Sequence, residues 1–138
     1  APMARYIAFD WGLRRTGIAV SDNNAIVASP LKTVDTKVVF QEAEPIILAE
    51  PCRGIIVGVP GFIVGLKTDS SEGIEKFISN LEKKYPSIPV HKVDESNTSI
   101  EAMNALISGG MKKSKRKNKG VIDKVASAII LQRFLDSK

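Results

Sequence analysis

Acidic residues at the ends of short apolar runs are the chemically suggestive feature of this sequence. Asp10 follows one such run, Asp94 and Glu95 follow another, and Asp123 comes just before a long apolar stretch. A carboxylate among buried apolar residues is costly unless it is paired or binds a metal. Several carboxylates brought together repel one another unless a cation neutralises them. We therefore interpret these acids as candidate ligands of a divalent metal ion.

The kind of metal follows from the donor atoms. Carboxylate oxygens without accompanying sulfur or imidazole ligands favour Mg²⁺ or Mn²⁺ over Zn²⁺. Such an ion can activate water against a phosphodiester, so the acids predict a metal-dependent nuclease. Side chains alternate along a strand, so Asp94 and Glu95 are expected to face opposite ways and only one to be a direct ligand. Spacing alone leaves open which of the two it is.

A basic segment immediately before Asp123 predicts a grip on nucleic acid. Its six cationic side chains are Lys112, Lys113, Lys115, Arg116, Lys117 and Lys119. Such a cluster would hold phosphates with a salt-sensitive affinity, and the net charge of +5 also favours an anionic partner. Arg14 and Arg15, close to Asp10, are further candidates either to contact phosphate or to balance the acids. The alternative interpretation of the basic segment is a solvated run of charge.

The length and composition predict one domain. The 138 residues suit a single core, which we assign to residues 3–138, with Ala1 and Pro2 interpreted as a remnant of cloning. The sequence has neither a signal-peptide apolar region nor a membrane span, so we expect a cytoplasmic protein. Cys52 is the one cysteine and is expected to be a buried structural thiol. His91 is expected to be a surface strand residue rather than a general base.

Hydrophobic patterning predicts a mixed sheet with helices packed on it. Three consecutive strands form an antiparallel meander, and Pro30 should sit at an edge or a break. Strands and helices alternate afterwards, and Pro45 should kink or interrupt the first helix. The second helix carries an apolar stripe on one face, formed by Ile74, Phe77, Ile78, Leu81 and Tyr85. Strands are expected at 4–11, 16–21, 25–34, 54–59 and 90–93, and helices at 36–50, 70–85, 98–109 and 121–135.

This order of elements predicts a three-layer α/β fold of the ribonuclease H-like type, with a five-stranded mixed sheet. Ligands in open α/β sheets gather at the carboxyl ends of the strands. If the first and last strands lie parallel and close, Asp10 meets Asp94 or Glu95. The final helix, with Asp123 in its first turn, completes the site.

Four sequence blocks, in order and at matching spacing, carry a family resemblance. They are residues 8–12 with 15–19, residues 56–60 with Gly65, residues 94–95 with 98–102, and residues 117–123 with 126–132. Over nearly its whole length the chain resembles the YqgF (RuvX) family of pre-16S rRNA nucleases and Holliday junction resolvase-like proteins.

The resemblance implies a ribonuclease H-like fold and Mg²⁺-dependent hydrolysis of phosphodiesters, with a role in maturing the 5′ end of 16S rRNA. It implies an acidic triad of Asp10, Glu95 and Asp123, and so favours Glu95 over Asp94. The chain departs from the family pattern at Ser96 and Asn97, where an arginine and an apolar residue are usual. It also has Val64 where the family often has aspartate. These departures alter groups near the site but none of the proposed ligands.

Three other functions fit part of the pattern. A four-way DNA junction resolvase would use the same chemistry, but symmetric cutting calls for a stable two-fold dimer. No dimer face is evident in the sequence, and we expect a monomer or a weak homodimer. An ATP-binding protein of the actin and sugar-kinase type shares the Asp10-to-Gly17 pattern, but needs a second lobe that 138 residues cannot supply. A non-catalytic nucleic-acid-binding protein would lose nothing on substitution of Asp10.

Overall fold

The structure is a computed structural model that describes residues 4–59, 69–94, 102 and 119–137. The described residues contain a mixed five-stranded sheet of order β3-β2-β1-β4-β5. Its strands are β1 (Arg5–Asp10), β2 (Arg15–Ser21), β3 (Ala28–Asp35), β4 (Cys52–Val59) and β5 (Val90–Asp94). The first three strands pair antiparallel, whereas β4 is parallel to β1 and β5 is parallel to β4. The predicted meander, the parallel half and the central position of β1 are confirmed.

The described helices are α1 (Val39–Ala49), which follows a 3₁₀ turn (Thr36–Val38), α2 (Asp69–Lys84) and α3 (Lys119–Asp136). Helix α1 runs on through Pro45, so the helix is not interrupted there. Its buried Val39, Ala43 and Ile47 pack on the sheet, and this packing outweighs the one backbone hydrogen bond that proline removes. The helix predicted at 98–109 lies outside the described residues except for Ala102, which is helical and fully buried.

Helices α1 and α2 cover one side of the sheet, which we call the α1/α2 face. Large side chains fill it: Phe9 is fully buried, and its ring meets that of Phe77 edge-to-face at a centroid distance of 5.3 Å. The helical stripe predicted for α2 is confirmed, because Ile74, Phe77, Ile78 and Leu81 are all buried in this core. Aromatic and branched side chains therefore set the distance between these helices and the sheet.

Of the described helices, α3 covers the opposite side, which we call the α3 face. Its strand residues are smaller and include Ala8 and Ala19, both fully buried. They pack with Ile56 and with Ala128 and Leu131 of α3. Sheet and helices thus form three layers, as the sequence predicted, and small residues allow α3 to approach the sheet closely.

Pro30 lies in the edge strand β3, where it pairs with Ala19 beside a register irregularity between Ile18 and Ala19. A proline cannot donate a ladder hydrogen bond, so it is tolerated only where a strand is unpaired on one side or bulged. The predicted edge position is therefore confirmed.

Candidate active site

Asp10 is the last residue of the central strand. The three residues before it, Ile7, Ala8 and Phe9, are fully buried because β1 is covered on both faces. Asp10 itself is half-buried and lies opposite Gly17 of β2. Alternation from Ala8 puts its side chain on the α3 face. The central strand, buried on both faces, therefore ends by presenting a carboxylate at one edge of the sheet.

Asp123 reaches the same place from the other end of the chain. A Cβ atom added to Gly17 would overlap the backbone carbonyl of Asp123 and would lie 2.9 Å from the nitrogen of Lys124. The backbone of α3 therefore rests directly on Gly17, which is the cross-strand partner of Asp10. Both acids therefore adjoin one glycine, Asp10 as its cross-strand partner and Asp123 through its backbone.

The position of Asp123 within its helix differs from the prediction. Helix α3 begins at Lys119, two residues earlier than expected, and its first turn contains no acidic residue. The predicted position of Asp123 in the first turn is therefore wrong. The close approach of α3 to Gly17, rather than the end of the helix, places this carboxylate.

Arg15 forms an ion pair with Asp123. Its Nε donates to Oδ2 at 2.8 Å, across 108 residues of sequence. The side chains are 40% and 24% exposed, respectively. Arg15 and Gly17 are two residues apart in β2, so both side-chain positions lie on the α3 face. Of the two roles predicted for Arg15, the structure shows the balancing of an acid.

The short loop before β2 is held in one conformation by Thr36. The Thr36 hydroxyl donates to the carbonyl of Gly12 at 2.7 Å, and its backbone N–H donates to the carbonyl of Arg14 at 3.1 Å. The hydroxyl of the fully buried Thr16 lies 2.8 Å from that of Thr36. Sequence reasoning missed Thr36 because nothing local links residues so far apart. The network anchors the backbone of Arg15 while the Arg14 side chain stays exposed.

Trp11 follows Asp10 and packs on the opposite face of the sheet, the α1/α2 face. Its indole ring lies against the backbone of α2 at Gly73, where an added Cβ would overlap the ring. Trp11 is half-buried and packs on the α1/α2 core. Sequence reasoning missed this contact as well. An isolated glycine inside a helical pattern was the available signal, since it often marks a close approach.

Strand β5 is parallel to β1 but is not its neighbour. Strand β4 lies between them, so their axes are separated by about 10 Å, or two strand spacings. Asp94 ends β5 and is exposed, and its carbonyl accepts a hydrogen bond from Arg133 at 2.8 Å. Val93 packs on the α3 face, so alternation places the side chain of Asp94 on the opposite face. This geometry does not favour Asp94 as a partner of Asp10.

The remaining predicted site residues are Glu95, which follows β5, and the basic segment. Glu95, Lys112, Lys113, Lys115, Arg116 and Lys117 lie outside the described residues, and Lys119 begins α3. Within the part of the chain that the structure describes, no three potential metal ligands are grouped. The donors present at the edge, from Asp10 and Asp123, are carboxylate oxygens, and these suit Mg²⁺ or Mn²⁺.

Two other potentially reactive side chains, His91 and Cys52, make packing or hydrogen-bond contacts within the fold. The ring of His91 packs on Phe134 at a centroid distance of 4.9 Å in the middle of β5. Cys52 begins β4, at the end of the sheet opposite the acids, and its thiol donates to the carbonyl of Gly54 at 3.3 Å. Cys52 is half-buried rather than fully buried as predicted, and desolvation raises the pKa of its thiol.

The strand order, the helices on both faces and the acid at the end of the central strand define a ribonuclease H-like α/β protein. A structure of Thermus thermophilus RuvC in complex with a Holliday junction substrate superposes with a TM-score of 0.56 at 14% identity. That match covers 97% of this chain and 94% of RuvC. A second T. thermophilus RuvC structure gives a TM-score of 0.55 at 16% identity and covers 96% and 95%. At these identities the likeness concerns the fold.

The chain belongs to the RuvX family, described as Holliday junction resolvase, whose profile matches residues 4–137. A relative from Bacteroides thetaiotaomicron is 38% identical, with 99% of each chain covered. One from Phocaeicola vulgatus is 40% identical, over 99% of this chain and 98% of the relative. One from Christiangramia forsetii is 38% identical, over 96% and 98%. All three are provisionally named pre-16S rRNA nuclease. In the described part of the chain, no helix is long and apolar enough to cross a membrane.

Proposed function

We propose that this protein is a divalent-metal-dependent nuclease that hydrolyses phosphodiester bonds during maturation of the 5′ end of pre-16S rRNA. The observation that carries the proposal is the meeting of Asp10 and Asp123 around Gly17 at the end of the central strand. The relatives named pre-16S rRNA nuclease, at 38–40% identity over nearly the full chain, support the choice of substrate.

Asp10, Asp123 and Glu95 would hold Mg²⁺ or Mn²⁺. Glu95 is chosen over Asp94 because the resemblance to the RuvX family implies it. Alternation from Val93, which faces α3, also puts the Asp94 side chain on the face away from Asp123. When bound, such an ion polarises a phosphoryl oxygen and lowers the pKa of a coordinated water.

The chain itself positions the acids and binds the substrate. The rigid, buried β1 fixes Asp10, and the close contact of α3 with Gly17 fixes Asp123. The exposed side chain of Arg14, close to Asp10 in the chain, would contact a substrate phosphate. The basic segment before α3 would grip the nucleic-acid backbone, whose phosphates set affinity and register but not sequence preference. The expected state in solution is a monomer or a weak homodimer.

A second candidate function is cleavage of four-way DNA junctions. The description of the matching family as Holliday junction resolvase favours it. Symmetric cutting of two strands would require a two-fold dimer, so the oligomeric state separates it from the first proposal. The acids at the edge of the sheet serve both reactions equally.

A parallel cleavage assay tests both candidates. A precursor-rRNA fragment and a four-way DNA junction are incubated with the protein and Mg²⁺, Mn²⁺ or EDTA, while light scattering gives the molar mass. We expect metal-dependent cleavage of the RNA. Asp10→Asn should lower the rate at least about a hundredfold, because it removes an anionic ligand from an ion that contributes several kcal/mol of stabilisation.

Asp35→Asn is the matched control. Asp35 also ends a strand at this edge of the sheet, but its carboxylate caps the 3₁₀ turn by accepting from the N–H of Lys37 at 3.0 Å. An asparagine oxygen can accept the same bond, so cleavage should be unchanged. Equal RNA cleavage by wild type and Asp10→Asn would contradict the proposed function. Cleavage of the junction alone by a stable dimer would favour the second candidate.

A further inference from the structure

The ion pair between Arg15 and Asp123 is exposed enough for each partner to leave the other and bind a different group. We propose that Arg15 is a positioning residue that holds Asp123 until a divalent cation displaces it, and that the released guanidinium then binds a phosphate of the substrate. The inference rests on the proposed function, because it takes Asp123 to be a metal ligand. It makes metal binding and nucleic-acid binding mutually reinforcing.

The exposure of the pair makes exchange inexpensive. With side chains 40% and 24% exposed, water solvates both partners when they separate, and such pairs contribute little net stability. The carboxylate of Asp22 offers a contrast. It accepts from the backbone N–H groups of Ile26 at 2.7 Å and Val27 at 2.9 Å, so its partners cannot move away without remodelling the turn.

The geometry of Arg15 leaves most of its donors for another partner. Only Nε bonds to Asp123, through a single oxygen. Among the described residues, neither Nη group of Arg15 has a hydrogen bond. A guanidinium fork matches the oxygens of a phosphate in a bidentate arrangement. The backbone of Arg15 stays fixed by the Thr36 network, so the side chain can reorient at the edge of the sheet without moving its anchor.

A metal ion and Arg15 compete for the same carboxylate. An ion bound by Asp123 would lie a few ångströms from the guanidinium, and two like charges at about 4 Å repel by about 1 kcal/mol even in water. Before metal binds, Arg15 offsets the repulsion between the two acids. Removing it should therefore tighten metal binding, while weakening the grip on substrate.

Calorimetric titration with Mn²⁺ and with Mg²⁺ tests the competition without any cleavage. We expect Arg15→Gln to bind both ions about five- to thirtyfold more tightly than wild type, since both an exposed ion pair and a nearby positive charge are lost. Arg14→Gln is the matched control. It removes the same charge one residue away, from an exposed side chain that water solvates, and should tighten binding several-fold less than Arg15→Gln does.

Arg15→Lys keeps the charge but loses the planar fork, so its metal affinity should fall between those of wild type and Arg15→Gln. This variant also carries the test if Arg15→Gln fails to give a native circular dichroism spectrum. Equal metal affinities for Arg15→Gln and Arg14→Gln, or weaker binding by Arg15→Gln, would overturn the proposal. So would a wild type that binds neither ion.

The effect of Arg15 on substrate binding is measured with the cleavage assay. Arg15→Gln should raise the KM for RNA while its metal dissociation constant falls, a divergence that a general structural defect would not produce. The outcomes also separate the two proposals. A shift in metal affinity without RNA cleavage by wild type would leave the exchange standing and overturn the proposed function. RNA cleavage without that shift would overturn the exchange alone.

Discussion

The two faces of the sheet are packed in different ways. On the α1/α2 face, Phe9 meets Phe77 and the layers are separated by aromatic rings. On the α3 face, Ala8, Ala19 and Gly17 line the strands, and the backbone of α3 touches the sheet at Gly17. Large side chains fill the first face throughout, whereas on the α3 face the aromatic pair of Tyr6 and Phe134 lies at one end and direct backbone contact closes the other, at the acid edge.

The difference explains where the candidate site lies. A layer of large side chains keeps a helix backbone about 10 Å from the sheet, too far for an acid on the helix to sit beside an acid on a strand. Where the strand residue is as small as Gly17, the backbone of α3 can touch the sheet. Asp123 therefore lies against the cross-strand partner of Asp10. Polar contacts then hold α3 at both ends, through Arg15 at the acid edge and through Gln132 at the opposite edge.

The largest expected effect on stability is on the α1/α2 face. Phe77→Ala removes a buried ring that contacts both Phe9 and Phe40, and should lower the free energy of unfolding by about 3–5 kcal/mol, measured in urea. The folded protein should keep its metal affinity, because the acids lie on the other face. Val27→Ala, at a site 54% exposed, is the control and should change stability by less than about 0.5 kcal/mol. If Phe77→Ala also lost metal affinity, packing on the α1/α2 face would be shown to support the acids, contrary to the difference between the two faces.

Gly17→Ala tests the close approach directly. The new methyl group would overlap the Asp123 carbonyl and should cost about 1–3 kcal/mol of stability. It should also slow cleavage at least about tenfold, since small displacements at a reacting centre are expensive. Gly54→Ala is the matched control on the same face, where the methyl would meet side chains rather than backbone: the ring of Tyr6 at 2.9 Å and that of His91 at 3.5 Å. The Tyr6 ring can yield, so the rate should stay near wild type. Unchanged cleavage by Gly17→Ala would show that α3 does not need this contact.

Gln132→Ala probes the other attachment of α3. The side chain accepts from the N–H of Ala28 at 2.9 Å and donates to the carbonyl of Ile26 at 3.0 Å. Losing these two bonds, together with the exposed one that Nε2 donates to Asp136 Oδ1 at 3.0 Å, should cost about 1–2 kcal/mol in urea unfolding, with metal affinity retained. Gln41→Ala, which removes the same side chain from an exposed position of α1, should be nearly neutral. A comparable loss for both variants would mean that the attachment contributes no stability.

The smallest effect concerns the turn between β2 and β3. Backbone N–H groups of Val27 and Ile26 lower the pKa of Asp22 below its ordinary value of 3.8. A lowered pKa stabilises the fold above that ordinary value, and the contribution is lost as pH falls through the lowered pKa. The difference in unfolding midpoint between wild type and Asp22→Ala should therefore be constant near neutral pH and shrink on acidification. A difference that grows as the pH falls would contradict this assignment.

Local pattern was enough to predict most of the fold. The stripe of α2, the meander and the edge position of Pro30 all follow from periodicity and proline chemistry, which act within a few residues. The start of α3 was predicted two residues too late, and α1 is not interrupted at Pro45, which was one of the two outcomes predicted there. Helix ends and proline tolerance depend on packing against the sheet, and a single sequence does not display that packing.

For the site, the sequence was enough to select Asp10 and Asp123 as candidates, because acidic residues near the ends of predicted strands and helices can be recognised in it. Three decisive facts came only from the tertiary structure: Asp94 faces away from α3, Arg15 holds Asp123, and Gly17 makes room for the helix backbone. Each depends on which face a residue occupies and on contacts across many residues of chain. Strand register and the docking of α3 decide the face and the contacts. The sequence by itself determined which side chains, and therefore which chemistry, were available.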